Sequence, residues 1–358
     1  MYAVPGGESI ERSNTMFGNI LVPLDGSSRA EQAIPVAARL ARVSGGTVVL
    51  LRVVYTPDDY IAYQTLEPIM MQKSLGVELE EARNYLDKLT HLDDLAGVHT
   101  KTDVFTGDAA ATILSTVDEY HSDLIVMSSH GYTGMKHWIM GSIAEKVAQH
   151  APVPVLVLRE GKPLFADHRP AENASLRALV PLDGSARAET AIAPAAHLVA
   201  ALSAPGKGTL HLTQVIIMPG RETVSQNEQE ALLQQARQNL QSSVEEIRDG
   251  LMADYEAELK LAITWSVTID DDIAAGIVRV AETGDGAEGA SGLEGYDIIA
   301  MATHGYSGLQ RWALGSTSER VLHTTRLPLL IVRPPDVIIR EQRASARPTT
   351  EAIKQPVV

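Results

Sequence analysis

The chain has 358 residues, 45% of them hydrophobic and 21% charged, with a formal net charge of −15 and no cysteine. The absence of cysteine excludes disulfides, thiolate nucleophiles and cysteine-ligated metals, and the acidity argues against a nucleic-acid partner, which requires clustered lysine and arginine. The length suggests about two domains. No apolar run approaches the roughly 20 residues of a membrane span, and the N-terminus lacks a secretory pattern. We therefore predict a cytoplasmic protein without membrane insertion.

The first half alternates between apolar strands and helical patterns. Helical spacing begins with SSRAEQAIPVAARLARV, where Ser28 and Glu31 have the spacing of a capping box and Pro35 predicts a kink or the true helix start. Apolar strands separated by helices predict a parallel sheet covered on both faces, in a doubly wound arrangement. The predicted strands are NILVPLD, TVVLLRVVY, HTKTDVFTG, DLIVMSS and VPVLVLR.

The second half repeats the first in the same order. VPLDG occurs at 22–26 and at 180–184, and SSHGYTGMKHWIMGS at 128–142 returns as ATHGYSGLQRWALGS at 302–316. Such a long period indicates a duplicated domain rather than a solenoid. The predicted organisation is a flexible tail, a first domain, a linker, a second domain and a flexible tail, at 1–16, 17–159, 160–176, 177–334 and 335–358.

Several polar residues and glycines fall at the carboxyl ends of predicted strands, where doubly wound sheets bind ligands. Asp25 follows the first strand, and Ser128 and Gly131 lie at the end of the fourth. Gly141 and Ser142 precede a helix whose first backbone N–H groups suit a phosphate. The combination predicts a nucleotide site with the base near Asp25. Each element alone is equally typical of a turn or an N-cap, and only its recurrence in both halves favours the site.

Other chemistries find less support in the sequence. It contains no phosphate-binding G-x-x-x-x-G-K-[ST] motif, no H-E-x-x-H zinc motif and no G-x-S-x-G nucleophile elbow. His130 and His304 are interpreted as structural histidines, and Trp138 and Trp312 as packing residues. The acidic run at 270–272 could hold a cation, but a solvated helix cap is the favoured interpretation.

Taken together, these motifs resemble the universal stress protein family in its tandem two-domain form, over roughly 17–159 and 176–334. The resemblance rests on VPLDGS in both halves, GDAAATI at 107–113, the two HG-x9-GS segments, and the strands PVPVLVLR and LPLLIVR. It implies an α/β fold of two doubly wound five-stranded parallel-sheet domains, adenine nucleotide alpha hydrolase-like and Rossmann-like. ATP-binding members carry G-x2-G-x9-G-[ST]; both halves match its last three elements, with Ser128 and Ala302 in place of the first glycine.

The resemblance also implies how the nucleotide is surrounded. The two aspartates would bind adenine, the prolines and valines would wall its pocket, and the methionines would lie beside the ribose. Ser318 would add a phosphate contact that Ala144 lacks in half one, while Asp271, in place of Gly107, would make the second site more acidic. The implied residues of half one are Pro23, Asp25, Val53, Met127, Ser128, Gly131, Gly141 and Ser142. Those of half two are Pro181, Asp183, Val215, Met301, Ala302, Gly305, Gly315, Ser316 and Ser318.

The expected function is that of a stress-response sensor or regulator that binds ATP, ADP or AMP, with magnesium accompanying ATP and hydrolysis at most slow. The fifth strands are expected to pair the two halves within one chain, and a homodimer of chains is compatible with this arrangement. Two alternatives stay open. One is a nucleotide-free scaffold of the same fold, and the other is a slow ATP hydrolase or nucleotide-transferring enzyme.

Overall fold

The structure, a computed structural model, describes most of both halves. The described residues are 16–55, 68–129, 140–160, 164, 175–218, 225–251, 260–284, 295–303 and 315–335. The strands of half one are β1 (Asn19–Leu24), β2 (Thr47–Val54), β3 (His99–Thr106), β4 (Leu124–Ser128) and β5 (Val155–Leu158). Those of half two are β6 (Arg177–Pro181), β7 (Gly208–Ile216), β8 (Leu261–Ile269), β9 (Ile298–Ala302) and β10 (Leu329–Val332). The five strands predicted for half one are thereby confirmed.

Helices connect these strands in the same order in each half. Half one contains α1 (Ser28–Glu31), α2 (Ala33–Ser44), α3 (Pro68–Thr90), α4 (Ala109–Glu119) and α5 (Ser142–His150). Half two contains α6 (Ala186–Glu189), α7 (Ile192–Ser203), α8 (Gln226–Glu246), α9 (Ile273–Thr283) and α10 (Ser316–Thr324). A 3₁₀ turn (Asp93–Leu95) follows α3, and a π turn (Ile247–Leu251) follows α8.

The two halves share one ten-stranded sheet with the order β3-β2-β1-β4-β5-β10-β9-β6-β7-β8. All pairs within a half are parallel, which confirms the doubly wound prediction. The seam is an antiparallel pair in which Val157 of β5 lies opposite Leu329 of β10, and Val155 lies opposite Ile331. The fifth strands therefore pair the halves within the chain, and each covers the sheet edge that the other would expose.

The strand order places a crevice at the carboxyl end of β1. The chain adds β2 and β3 on one side of β1 and then returns to add β4 on the other side. The connections after β1 and β4 therefore leave on opposite faces of the sheet, which opens the switch point where such folds bind ligands. In half two, β6 lies between β7 and β9 in the same way.

Both faces of the central strands are buried, as these apolar strands require, whereas the edge strand β3 has several exposed side chains. In β1, Ile20 and Val22 belong to the core layer beneath α2, while Leu21 belongs to the opposite layer, with Ile113 of α4 and Val147 of α5. All five side chains are at most 3% exposed. The two layers hold the strand ends, and hence the crevice, in a fixed arrangement.

The helix after β1 begins differently from the sequence prediction. Ser27, not Ser28, is the N-cap of α1, and its Oγ accepts a hydrogen bond from Ala30 N at 3.2 Å. Half two has the same cap at Ser185, so both halves begin this helix with a serine N-cap. Pro35 lies in the first turn of α2, as expected for a residue that marks a helix start.

Candidate functional site

The turn after the first strand of each half holds an aspartate in a fixed orientation. Asp25 Oδ1 accepts hydrogen bonds from Ser27 N at 2.9 Å and from Ser27 Oγ at 2.6 Å. Asp183 Oδ1 accepts from Ser185 N at 3.0 Å and from Ser185 Oγ at 2.6 Å. The two VPLDGS motifs therefore form the same structure, in which the serine caps the following helix and orients the aspartate.

A backbone hydrogen bond joins the end of the fourth strand to the start of the next helix in both halves. Gly141 N donates to Ser129 O at 2.8 Å, and Gly315 N donates to Thr303 O at 2.7 Å. Each glycine is the N-cap of the next helix, α5 or α10, and so provides no side-chain cap. The first-turn N–H groups of these helices lack the side-chain acceptor that Ser27 supplies to α1, and a ligand anion could take that place.

A cavity of about 950 Å³ lies at the carboxyl ends of β1, β2 and β4 in half one. Its volume is in the range of small-molecule sites. Seven of the eight residues predicted for this half line it, and the eighth, Gly131, lies outside the described residues. The seven are Pro23, Asp25, Val53, Met127, Ser128, Gly141 and Ser142.

The cavity also has charged walls that the sequence analysis missed. On the side away from α4, the cavity is lined by Arg52 of β2 and by Glu78, Glu81 and Tyr85 of α3. The Tyr85 hydroxyl donates to Glu31 Oε1 at 3.0 Å, and burial together with this bond raises the pKa of Tyr85 above its usual range. A signal was present for Arg52, because an arginine interrupts the otherwise apolar strand TVVLLRVV.

The predicted residues of half two occupy equivalent places in the fold. Gly305 lies outside the described residues, whereas the others are at the ends of β6, β7 and β9 or at the start of α10. Ser318 is 5% exposed, and its hydroxyl donates to Ala302 O at 2.9 Å. Its one donor is therefore used within the protein. The strand-end and turn residues are Pro181, Asp183, Val215, Met301 and Ala302, and the helix-start residues are Gly315, Ser316 and Ser318.

The acidic run of half two caps a helix. Asp272 Oδ1 accepts from Ala275 N at 2.8 Å at the start of α9, and Asp272 Oδ2 is 2.6 Å from Arg320 Nη1. The bond from Arg320 lowers the pKa of Asp272 below its usual range. Asp270 is paired with Arg279 at 3.0 Å. Two of the three carboxylates are thus ion-paired, and no group of three or more metal-ligating side chains occurs among the described residues.

Comparison with known proteins agrees with this architecture. The model of the Universal stress protein family matches residues 16–159 and 176–333. Universal stress protein MJ0531 of Methanocaldococcus jannaschii is 30% identical over 155 residues, which are 43% of this chain and 88% of that protein. Universal stress protein YxiE of Bacillus subtilis is 30% identical over 158 residues, which are 40% of this chain and 100% of that protein.

Two solved structures share the fold over both halves. PA1789 of Pseudomonas aeruginosa PAO1 has a TM-score of 0.58 at 18% identity, covering 93% of this chain and 99% of that one. A universal stress protein of Archaeoglobus fulgidus has a TM-score of 0.51 at 21% identity, covering 89% of this chain and 97% of that one. Within the described residues, no helix is both long and apolar enough to cross a membrane. The chain belongs to the universal stress protein family and carries two copies of its domain.

Proposed function

We propose that the protein binds an adenine nucleotide, ATP, ADP or AMP, in one or both halves, and acts as a nucleotide-dependent sensor or regulator in a stress response. One observation carries this proposal. Seven residues expected to contact a nucleotide come from distant parts of the chain and line a single cavity in half one. Strand ends of a doubly wound sheet meet at one edge in any case, so the support comes from the fact that this edge is open as a cavity that holds both the predicted base contact, Asp25, and the predicted phosphate contacts, Gly141 and Ser142.

The geometry supports a role for each end of the cavity. At one end, α5 has Gly141 as its N-cap and no side-chain cap, so its first N–H groups can donate to phosphate oxygens, assisted by the helix dipole. At the other end, Ser27 holds the Asp25 carboxylate where it can accept from the exocyclic amine of adenine. Pro23 and Val53 provide apolar walls between these ends. A magnesium ion would enter with ATP, carried by its phosphates.

Hydrolysis is expected to be slow at most. The first turn of α5 carries one carboxylate, Glu145, but this group lies 3.8 Å from His323 Nε2 of half two and is not among the residues lining the cavity. A carboxylate turned towards the seam is poorly placed to activate a water molecule beside a phosphate. Steady turnover of ATP at about one per second or faster would instead indicate an enzyme.

The test has two parts. The purified full-length protein is denatured, the released small molecules are separated by ion-exchange chromatography, and ATP and AMP are then titrated by calorimetry. Asp25→Ala should weaken binding at half one about tenfold, because a charged hydrogen-bond acceptor is lost. Asp118→Ala, on the exposed side of α4, is the matched control. Absence of both released nucleotide and binding at millimolar concentrations would refute the proposal.

One observation favours a nucleotide-free scaffold as the second candidate. Ser128 and Ala302 stand where the nucleotide-binding pattern has its first glycine, so each half carries a β-carbon at this close approach. If a nucleotide cannot approach these positions, the same cavity would be empty in the working protein and function would rest on contacts with partners. The calorimetric titration separates the two candidates.

A further inference from the structure

The half-one cavity is lined by a positively charged side chain, Arg52, that has no role in the proposed adenine binding. Arg52 lies beside Leu24 in the register of β1 and β2, and its Nη1 donates to Leu24 O at 3.2 Å. Its guanidinium covers the turn after Asp25. The Cζ atom is 3.7 Å from the position that a β-carbon would take on Gly26. Arg52 is therefore fixed next to the aspartate expected to read the base.

Asp25 and Arg52 offer complementary hydrogen-bonding groups in one cavity. A carboxylate only accepts hydrogen bonds, whereas a guanidinium has five N–H donors in a planar fork. One Arg52 donor is directed to Leu24 O, and the fork leaves others available towards the cavity. A ligand edge that carries both a donor and a strong acceptor would satisfy both side chains.

Half two has neutral side chains at the corresponding places. Pro181 lies opposite Thr213 as Pro23 lies opposite Leu51, so Gln214 corresponds to Arg52. The turn after Asp183 is covered by an amide, since Asn239 Nδ2 is 2.8 Å from the β-carbon position of Gly184. The two sites therefore differ in the charge placed beside the base, although their aspartates are held identically.

We propose that the half-one cavity accepts 6-oxopurine nucleotides, those of guanine or hypoxanthine, in addition to adenine nucleotides, and that Arg52 selects them. The inference rests on the proposed nucleotide site. The oxygen at C6 accepts from the Arg52 guanidinium, the preferred partner of that oxygen in nucleic-acid recognition, while the ring N1–H donates to Asp25. Adenine, which carries an amine instead of an oxygen at C6, donates that amine to Asp25 and does not require a hydrogen bond from Arg52. Half two, with Gln214, favours adenine.

The experiment is a calorimetric titration of the full-length protein with AMP and with GMP. Wild type should bind GMP at one site per chain. Arg52→Gln, which installs the half-two residue, should weaken GMP binding by about tenfold or more, as expected for a hydrogen bond to a charged group, and AMP binding less than about threefold. Gln214→Arg should create a second GMP site. Thermal unfolding verifies that each variant is folded, and Arg52→Lys, which keeps the charge but not the fork, replaces Arg52→Gln if that variant does not fold.

The outcomes separate this inference from the function on which it rests. Binding of AMP without binding of GMP at millimolar concentrations overturns the inference and leaves the adenine site intact. Equal losses of AMP and GMP affinity in Arg52→Gln, or an unchanged GMP affinity, also overturn it, because Arg52 would then not select the base. Absence of binding of either nucleotide to wild type refutes the proposed function itself.

Discussion

Arg333, directly after the last strand of half two, donates a hydrogen bond from Nη1 to the backbone oxygen of His150 at 2.7 Å, at the end of α5 in half one. The duplicated arginine of half one, Arg159, donates to the backbone oxygen of Leu322 in the last turn of α10. Each half thus binds the C-terminal end of a helix in the other half, α5 or α10. The N-terminal end of that helix belongs to the candidate site of the other half. A cation there also meets the negative end of the helix dipole.

Removing one of these arginines should weaken the seam. Arg333 is 7% exposed, so Arg333→Ala loses a buried charged hydrogen bond and should lower the free energy of unfolding by about 1.5–3 kcal/mol. Urea denaturation of the full chain measures this. Arg83→Ala, on the exposed face of α3, is the control and should change stability by less than about 0.5 kcal/mol. Equal effects of the two substitutions would mean that the seam does not depend on Arg333.

His211 should make stability depend on pH. The imidazole is 1% exposed in β7 and hydrogen-bonded to Thr264 Oγ1 at 2.7 Å and Ser266 Oγ at 2.8 Å. Burial, aided by the charge of Arg177, lowers the pKa of His211 to about 4. Above about pH 6.5 the imidazole is neutral in the folded and unfolded chains alike. Between that pH and about 4 only the unfolded chain binds the proton, so stability falls as the pH falls, by about 3 kcal/mol in total.

The contribution of His211 can be isolated by comparing slopes. Val49 stands at the corresponding position of half one, so His211→Val copies a side chain that the duplicated domain already accommodates. Its unfolding free energy, measured at pH 7 and pH 5, should fall less than that of wild type. His99→Gln, at an exposed position of β3, should keep the wild-type slope. If the unfolding free energy fell equally between pH 7 and pH 5 in wild type and in His211→Val, His211 would not be the source of the pH dependence.

Gly141→Ser should separate helix stability from ligand binding. Gly141 has φ −65° and ψ 146°, an ordinary extended conformation that serine adopts without strain. The new hydroxyl would cap α5 as Ser27 caps α1, and stability should rise by a few tenths of a kcal/mol. Because the same N–H groups are proposed to bind phosphate, calorimetry should show nucleotide affinity falling about tenfold. A variant that gained stability with unchanged affinity would show that phosphate does not bind at this helix start.

Ser318→Ala tests whether this serine supports the fold or the ligand. The hydroxyl donates to Ala302 O, so its removal should lower the unfolding free energy by about 1 kcal/mol while nucleotide affinity stays within about twofold. Ala144 occupies this place in half one, where Ala144→Ser is the reciprocal variant. A large loss of nucleotide affinity in Ser318→Ala would instead support the phosphate contact that the family resemblance implied.

The strands and their order in the chain could be predicted because apolar runs of this length have few other solutions. The expected site residues could also be predicted from the sequence, because strand ends in a doubly wound sheet meet at one edge. The sequence placed the cap one residue too late, because Ser28 has the capping-box spacing to Glu31, whereas the backbone makes Ser27 the N-cap. Arg52 was not predicted as a site residue. Strand periodicity indicates the face of the sheet on which a side chain lies, but not that α3 leaves a cavity above that face.

The sequence by itself determined the duplication, the α/β class and the residues that recur in each half. These follow from local patterns and from the repeat, which are properties of neighbouring residues or of matching segments. The resemblance led us to expect the pairing of β5 with β10, but only the tertiary structure decided its antiparallel direction and register. The structure alone also showed that Arg159 and Arg333 cross the seam and that Arg52 stands beside Asp25 in one cavity. Contacts between residues far apart in sequence depend on how the layers pack, and that packing is absent from any single segment.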